Sequence, residues 1–168
     1  MQPVLVGGVI KHATGRAVAD VFDELVAEPL GMRHYYLNLS PLGEPYMGGG
    51  MRLTARDFAK FGQLYLNGGT WRGRRVLDPA FIARASDPRF TMGTLGYGLH
   101  WWVIRYPFRG DTLQAYFASG NGGQHVMVVP RLDLVITTLA GNYQDRTALK
   151  LQERDIPRYI LPAVRMER

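Results

Sequence analysis

The sequence predicts an α+β fold, with helices first, then an antiparallel sheet, then a closing helix. In residues 1–90 the apolar residues mostly recur at the spacing of a helix. Residues 91–145 carry short apolar runs separated by turn residues. Residues 146–168 return to a helical pattern. Because the strands follow one another instead of alternating with helices, a parallel sheet is not expected. We expect residues 1–168 to form a single partial domain, an antiparallel sheet with flanking helices.

Three helices are predicted in the first half of the chain from their capping residues. Thr14 is expected to cap a helix over residues 17–26, which has apolar residues on one face. Thr54 followed by Asp57 has the spacing of a capping box and predicts a second helix. Asp78–Pro79 combines a capping residue with proline at the first helical position, and it predicts a short third helix.

Four strands and a turn are predicted in the second half. Residues 97–104 and 112–118 each have strand character. Residues 124–129 and 134–139 are two further apolar runs. Between them, Pro130–Asp133 predicts a hairpin turn.

The remaining segments are less sharply defined by their sequence. Residues 4–12 are compatible with helix or strand, whereas residues 33–50 are rich in glycine and proline and predict a loop. The last 22 residues predict an amphipathic, proline-interrupted helix. Its inward positions are expected to be Leu149, Ile156, Ile160 and Val164.

Composition limits the classes of function. The chain has 168 residues and no cysteine, which excludes a disulfide framework, a cysteine nucleophile and thiolate metal sites. No apolar run approaches the roughly 20 residues of a membrane helix, so no membrane span is expected. Residues 1–4 lack the basic and apolar regions of a signal peptide.

The net charge of +6 raises the question of a nucleic-acid partner. The one tight basic cluster is Arg72, Arg74 and Arg75. Basic residues also recur every four positions from Arg146 to Arg158, which predicts a solvated helix face. Pro157 interrupts that stripe and no aromatic residues alternate with it, so no nucleic-acid partner is expected.

No cofactor or metal ion is expected from the motifs. No histidine pair has the spacing of metal ligands on a helix, and the phosphate-loop and dinucleotide-binding patterns are absent. The four histidines are His12, His34, His100 and His125.

The segment with unusual composition joins two predicted strands. Its candidate binding residues are Ser119, Gly120, Asn121, Gly122 and Gly123. Glycine and asparagine suit a flexible hairpin loop. They also suit a strand end whose backbone must come close to a ligand. Composition alone does not choose between these two interpretations.

A resemblance to a known family favours the second interpretation. The chain contains, in order, Pro-Leu-Gly-Met at 29–32, a long helix-and-turn motif at 53–71, Gly-Tyr-Gly-Leu-His-Trp-Trp at 96–102 and the loop at 119–124. Together these resemble the serine β-lactamase-related hydrolases. That family includes class C β-lactamases, D-Ala-D-Ala carboxypeptidases, family VIII esterases and 6-aminohexanoate-dimer hydrolases. The resemblance implies the C-terminal part of a β-lactamase/transpeptidase-like fold.

The resemblance implies an acyl-enzyme mechanism with three motifs. A serine in S-x-x-K attacks a carbonyl, and its lysine shares proton transfers with a tyrosine in Y-x-N or Y-x-S. A third motif, K-T-G or H-x-G, lies on a strand that lines the site, beside an amide that helps to hold the oxyanion. Ser119 and Gly120 match its last two positions. Ala118 stands where the family has a basic residue, which favours esterase or amidase relatives.

The other two motifs are missing from this chain. None of its serines is followed by lysine three positions later. Thr147–Lys150 has the shape T-x-x-K, and we interpret it as coincidence because it lies in the closing helix. Tyr36 and Tyr65 each begin a Y-x-N match, but the register of the family expects the tyrosine motif upstream of Met1. We therefore expect that no complete catalytic set is present.

These observations lead to two hypotheses about function. The first is the C-terminal portion of a serine hydrolase that acts on a small-molecule amide or ester, inactive by itself. The apolar strand at 134–139 would then be an exposed edge, which predicts a complementing N-terminal chain or a homo-oligomer. The alternative is a non-catalytic binding or assembly module on the same scaffold.

Overall fold

The computed structural model describes residues 3–41, 43–143 and 151–165. The chain divides into two compact units, residues 1–60 and 61–168, and the boundary falls within one helix. The α+β class is confirmed, since helices accompany a six-stranded antiparallel sheet. The single partial domain stays a prediction.

The first unit begins with a series of helices, so residues 4–12 are helical. They are α1 (Pro3–Thr14), α2 (Val18–Phe22), a π-helical turn (Asp23–Ala27) and α3 (Glu28–Leu30). The prediction that Thr14 caps the second of these was wrong. Thr14 is the last residue of α1, and its hydroxyl donates to the Ile10 carbonyl at 2.7 Å. Gly15, with φ of 67°, then ends the helix, and Ala17 precedes α2 without a side-chain cap.

The predicted loop over residues 33–50 is mostly irregular. It contains the short strand β1 (Tyr35–Tyr36), which pairs antiparallel with β2 (Arg52–Leu53). A single bridge joins Leu39 to Pro45. The loop prediction is therefore right except for this small pairing.

The predicted capping box opens α4 (Ala55–Leu66), and its residues extend into a larger network. The Asp57 N–H donates to Thr54 Oγ1 at 3.1 Å, and the Thr54 hydroxyl donates to Asp57 Oδ2 at 3.0 Å. Lys60 Nζ donates to Asp57 Oδ1 at 2.6 Å and to the Gly31 carbonyl at 2.7 Å. The ion pair with Asp57, which is only 7% exposed, lies within α4, and the bond from Lys60 to Gly31 links this helix to the C-cap of α3.

Replacing Asp57 with asparagine is expected to lower the free energy of unfolding by about 1–3 kcal/mol at pH 7. The hydrogen bond from Lys60 lowers the pKa of Asp57, although burial opposes it. A carboxyl with a lowered pKa contributes stability above its unfolded pKa, near 4, and loses it as the pH falls through the folded value. The cost of Asp57→Asn should therefore shrink between pH 7 and pH 3 in urea unfolding. Asp20→Asn, on the exposed face of α2, is the control; equal costs of Asp57→Asn at both pH values would contradict the assignment.

The second unit starts with a small hairpin and a capped helix. Strands β3 (Thr70–Trp71) and β4 (Arg74–Arg75) pair antiparallel. Helix α5 (Pro79–Ala85) follows, and the Ala80 N–H donates to Asp78 Oδ1 at 2.8 Å. The cap predicted at Asp78–Pro79 is confirmed.

The main sheet has six antiparallel strands in the order β10-β9-β8-β7-β6-β5. They are β5 (Phe90–Met92), β6 (Leu95–Tyr97), β7 (Trp102–Phe108), β8 (Asp111–Ser119), β9 (His125–Val129) and β10 (Leu134–Thr138). A 3₁₀ turn at Pro130–Leu132 and Asp133 in the left-handed region join β9 to β10, as the hairpin prediction requires. Strands predicted at 112–118, 124–129 and 134–139 match β8, β9 and β10.

The prediction of one strand over residues 97–104 was wrong. β6 ends at Tyr97 and β7 begins at Trp102. At Gly98 the backbone passes so close to the end of α5 that a Cβ would lie 2.2 Å from the Ala85 carbonyl oxygen. The Leu99 N–H donates to that same oxygen at 3.1 Å. A tertiary contact therefore breaks a run whose composition is strand-like throughout.

His100 follows this contact and is held in the left-handed region with φ of 63°. A side chain at this angle costs about 1 kcal/mol relative to glycine. His100→Gly is therefore expected to raise the free energy of unfolding by up to about 1 kcal/mol, measured by urea unfolding. His100→Ala, which removes the imidazole and keeps the Cβ, should leave it almost unchanged. If His100→Ala stabilised the protein and His100→Gly did not, the strain at this position would come from the imidazole ring and not from the backbone angle.

A hydrophobic core lies between one face of the sheet and the C-terminal segment. Its fully buried members include Leu113, Ala115, Phe117, Met127, Val129, Ile156 and Leu161. The segment is π-helical over Leu151–Ile160 and 3₁₀ over Leu161–Ala163. Pro157, which has no N–H to donate, lies inside it. The prediction of a proline-interrupted helix is confirmed for this part; of its inward positions, Leu149 lies outside the described residues, and Ile160 and Val164 are half-buried.

The opposite face of the sheet packs against the second half of α4. A Cβ at Gly62 would lie 2.6 Å from Val126 Cγ2 and 2.7 Å from Val135 Cγ1, so helix and sheet are in close contact there. Four aromatic rings fill the adjoining space. They are Phe61, Tyr65, Trp101 and Tyr116, with neighbouring centroids between 4.6 and 6.4 Å apart. The sheet is thus covered on both faces.

Candidate functional site

The candidate binding residues lie in the connection between β8 and β9, residues 119–124, here called the glycine loop. β8 ends at Ser119, whose position in the ladder is opposite His125, the first residue of β9. The Gly120 N–H donates to the Gln124 carbonyl at 2.7 Å, and the Gly123 N–H donates to the Gly120 carbonyl at 3.3 Å. These bonds make the glycine loop a tight, internally bonded turn rather than an open flexible one.

The glycine loop has an exposed part and a buried part. Ser119 and Asn121 are exposed, whereas Gly122 and Gly123 are buried. Of the predicted binding residues, Ser119 and Asn121 are therefore accessible to a ligand, Gly120 is half-buried, and the last two are not accessible. Ala118, at the position that is basic in the family, is half-buried and contributes no charge.

One backbone donor in the glycine loop stands out from its neighbours. The Gly120 and Gly122 N–H groups both donate within the loop. Within the described part of the chain, the Asn121 N–H between them has no hydrogen-bond partner. An N–H without a partner, on an exposed residue between two bonded neighbours, can donate to a ligand oxygen without breaking a bond in the protein.

The end of β10 supports the glycine loop from the side. The Thr138 hydroxyl donates to the Gly123 carbonyl at 3.0 Å, and the Asn142 N–H donates to the Gly122 carbonyl at 3.0 Å. The Tyr143 ring lies against Gly122, where a Cβ would be 2.9 Å from its Cε1 atom. Sequence reasoning missed these three residues, because no local signal links them to a loop about 15–20 positions earlier.

The two Y-x-N tyrosines differ in their surroundings. Tyr65 is 6% exposed and lies within the aromatic cluster, where burial raises its pKa and a hydrogen bond from Trp101 opposes the rise. Its role there is packing against the neighbouring rings. Tyr36 is 74% exposed. The T-x-x-K match at 147–150 lies outside the described residues.

The remaining nucleophiles and histidines do not form a second candidate site. The Ser86 hydroxyl donates to the Ile82 carbonyl at 2.9 Å, and Ser40 Oγ accepts from the Glu44 N–H. His125 is 2% exposed, and its ring centroid is 6.5 Å from that of Phe117. Over residues 3–41, 43–143 and 151–165, no group of three histidine or acidic side chains could hold a metal ion. No helix in those ranges has the length and apolar character needed to cross a membrane.

The edge of the main sheet next to this site is formed by β10. Among the described strands, only β9 pairs with it. Its side chains are mostly half-buried, and Thr137 Oγ1 is buried with no hydrogen-bond partner in the described structure. The edge predicted over residues 134–139 is therefore an edge of this sheet.

Known proteins support the resemblance seen in the sequence. A family model described as Beta-lactamase matches residues 3–154. The 6-aminohexanoate-dimer hydrolase of Paenarthrobacter ureafaciens is 27% identical over 144 residues, which are 79% of this chain and 36% of that protein. The chain thus spans little more than a third of the length of this relative.

Solved structures have the same fold. A candidate 6-aminohexanoate-dimer hydrolase from Bacillus anthracis superposes with a TM-score of 0.74 at 22% identity, over 89% of this chain and 39% of that one. A class C β-lactamase superposes with a TM-score of 0.68 at 17% identity, over 98% of this chain and 56% of that one. At these identities the likeness concerns the fold, whereas the family match covers most of the sequence. The chain therefore belongs to the serine β-lactamase-related hydrolase family.

Proposed function

We propose that this chain forms the strand-and-loop wall of an acyl-transfer site in a serine hydrolase that acts on small-molecule amides or esters. The observation that carries the proposal is the N–H of the exposed residue Asn121, which follows Ser119 and Gly120 at the end of β8 and has no partner in the described structure. The match of residues 119–120 to the family's third motif supports the same placement.

The proposed role of the glycine loop is electrostatic. A serine oxygen attacks the substrate carbonyl carbon, and the carbonyl oxygen becomes negatively charged in the tetrahedral intermediate. The Asn121 N–H would donate to that oxygen until its electron pair re-forms the C=O bond and breaks the bond to the alcohol or amine, which takes up the proton that a base removed from the serine. Ser119 would contact the substrate beside it. Ala118 offers no cation to a substrate carboxylate, which favours uncharged esters and amides.

The nucleophile is proposed to come from outside these 168 residues. No serine of the chain is followed by lysine at the third position, and both Y-x-N tyrosines lie in settings unlike that of a catalytic group. The chain by itself is therefore proposed to be inactive. The β10 edge supports a complementing N-terminal polypeptide or a second copy as its partner.

Native mass measurement and hydrolysis of a p-nitrophenyl ester test this proposal together. The purified chain is measured alone and with the polypeptide encoded immediately upstream. A complex that hydrolyses the ester, with neither part active alone, is the expected result. Labelling of the chain alone by a fluorophosphonate would contradict the absence of a nucleophile.

A non-catalytic binding or assembly module is the second candidate, and the missing S-x-x-K motif is what favours it. A folded monomer that does not bind the upstream polypeptide would support it. In that case catalysis belongs to the relatives and not to this chain.

A further inference from the structure

We propose that Gln124 is a positioning residue whose side chain aims the Asn121 N–H at the substrate oxygen. The inference rests on the proposed function, because it assigns the residue that holds the proposed oxyanion donor in place. Gln124 itself would touch neither substrate nor nucleophile. Gln124 is half-buried at the end of the glycine loop.

Both ends of the Gln124 carboxamide are used in fixing the loop. Oε1 accepts the Gly122 N–H at 3.0 Å. Nε2 donates to the Ala140 carbonyl, just beyond β10. The backbone carbonyl of the same residue accepts the Gly120 N–H at 2.7 Å. One residue therefore binds the amides on both sides of Asn121 and links the loop to the neighbouring strand.

This arrangement leaves the middle amide as the available donor. With the Gly120 and Gly122 N–H groups turned towards Gln124, the peptide between them has little freedom to rotate. The Asn121 N–H is then held in one orientation by its neighbours, although it has no hydrogen-bond partner itself. A donor that is fixed before the substrate arrives needs no reorganisation when charge develops.

Gln124 also explains two of the glycines in the loop. A Cβ at Gly120 would lie 2.6 Å from Gln124 Oε1, and a Cβ at Gly122 would lie 2.6 Å from Gln124 Nε2. Neither glycine has the positive φ that would itself require glycine, whereas Gly123 does, at 89°. The space beside these two residues is taken by the carboxamide, so their role is to admit Gln124 and not to admit a ligand on that side.

The first test uses the complex with the upstream polypeptide and a p-nitrophenyl ester. Gln124→Met keeps the length of the side chain and removes both hydrogen bonds. It is expected to lower kcat about ten- to hundredfold with little change in KM. The reason is that a displaced Asn121 N–H weakens a hydrogen bond that forms mainly in the transition state. Gln124→Glu keeps the acceptor for the Gly122 N–H, so its kcat should lie between those of the wild type and of Gln124→Met. Gln114→Met, on an exposed position of β8, is the matched control and should leave kcat unchanged.

The second test uses the 168-residue chain alone and needs no activity. Gly120→Ala should lower the urea midpoint of unfolding in the wild-type background. In a Gln124→Ala background it should cost less than half as much, because the clashing atoms are gone. Amide hydrogen exchange at Gly122 should speed up at least tenfold in Gln124→Met, since its acceptor is removed.

The two tests separate the inference from the proposed function. If the complex hydrolyses no ester but the double-mutant coupling and the exchange change are seen, the proposed function fails while the bracing by Gln124 is supported. If the complex is active and Gln124→Met leaves kcat and Gly122 exchange unchanged, the positioning role is overturned. An equal loss in kcat and rise in KM, with unchanged exchange, would also overturn it, by indicating a direct substrate contact.

Discussion

Replacing Asn121 with proline is expected to lower ester hydrolysis by the reconstituted complex about 10²–10³-fold, the usual cost of losing one oxyanion donor. Proline has no N–H, so the substitution removes the backbone donor that lies between the bonded Gly120 and Gly122 N–H groups and has no partner within the described structure. The loss should appear in kcat, because the charge on the substrate oxygen develops only in the transition state.

Asn121→Ala is the matched control, because it removes the side chain and keeps the backbone donor. It should retain activity within about threefold if the amide N–H, and not the side-chain amide, is the acting group. The native mass and the urea midpoint of both variants show whether the loop and the complex survive. Comparable losses in the proline and alanine variants of an intact complex would assign the role to the side chain instead. Full activity in the proline variant would remove the oxyanion assignment.

Local chemistry in the sequence predicted several elements of this fold correctly. The caps at Thr54 and Asp78 formed as expected, because each depends only on a side chain and an N–H two or three residues away. The four-residue hairpin turn at Pro130–Asp133 likewise depends on proline and on a residue that tolerates the left-handed region. Such signals are contained within one turn of chain.

The elements that the sequence did not predict depend on distant contacts. Tyr97 to Trp102 has strand composition, yet the Ala85 carbonyl approaches Gly98 and interrupts it. Thr14 could cap a following helix, but the segment before it is itself helical, and Thr14 is the last residue of that helix. Neither outcome can be predicted from a window of a few residues. The first depends on a contact with a distant residue, and the second depends on the helix that precedes Thr14.

The candidate site shows the same division. The composition of residues 119–123 was enough to single out the glycine loop, and the family resemblance suggested the role that we propose for it. The contribution of Gln124 was not predicted, because it depends on the Ala140 carbonyl 16 residues later and on the space beside Gly120 and Gly122. The glycines looked like room for a ligand, whereas on one side the carboxamide of Gln124 occupies that room.

Replacing Trp101 with alanine is expected to lower the free energy of unfolding of the second unit by about 3–5 kcal/mol. Trp101 is 3% exposed and lies against three rings. Its centroid is 4.6 Å from that of Tyr65, 5.2 Å from that of Tyr116 and 6.1 Å from that of Phe61. Alanine would remove these contacts and leave a cavity between the helix and the sheet, which the backbone can close only in part.

Trp71→Ala in the small β3–β4 hairpin is the matched control, because Trp71 is half-buried and belongs to no ring pair in the described structure. It should cost roughly half as much or less in urea unfolding, since less apolar surface is lost. Trp101→Phe should recover part of the loss, as it keeps one ring in the cluster. A Trp101→Ala cost no larger than that of Trp71→Ala would mean that the aromatic cluster does not anchor the second half of α4 to the sheet.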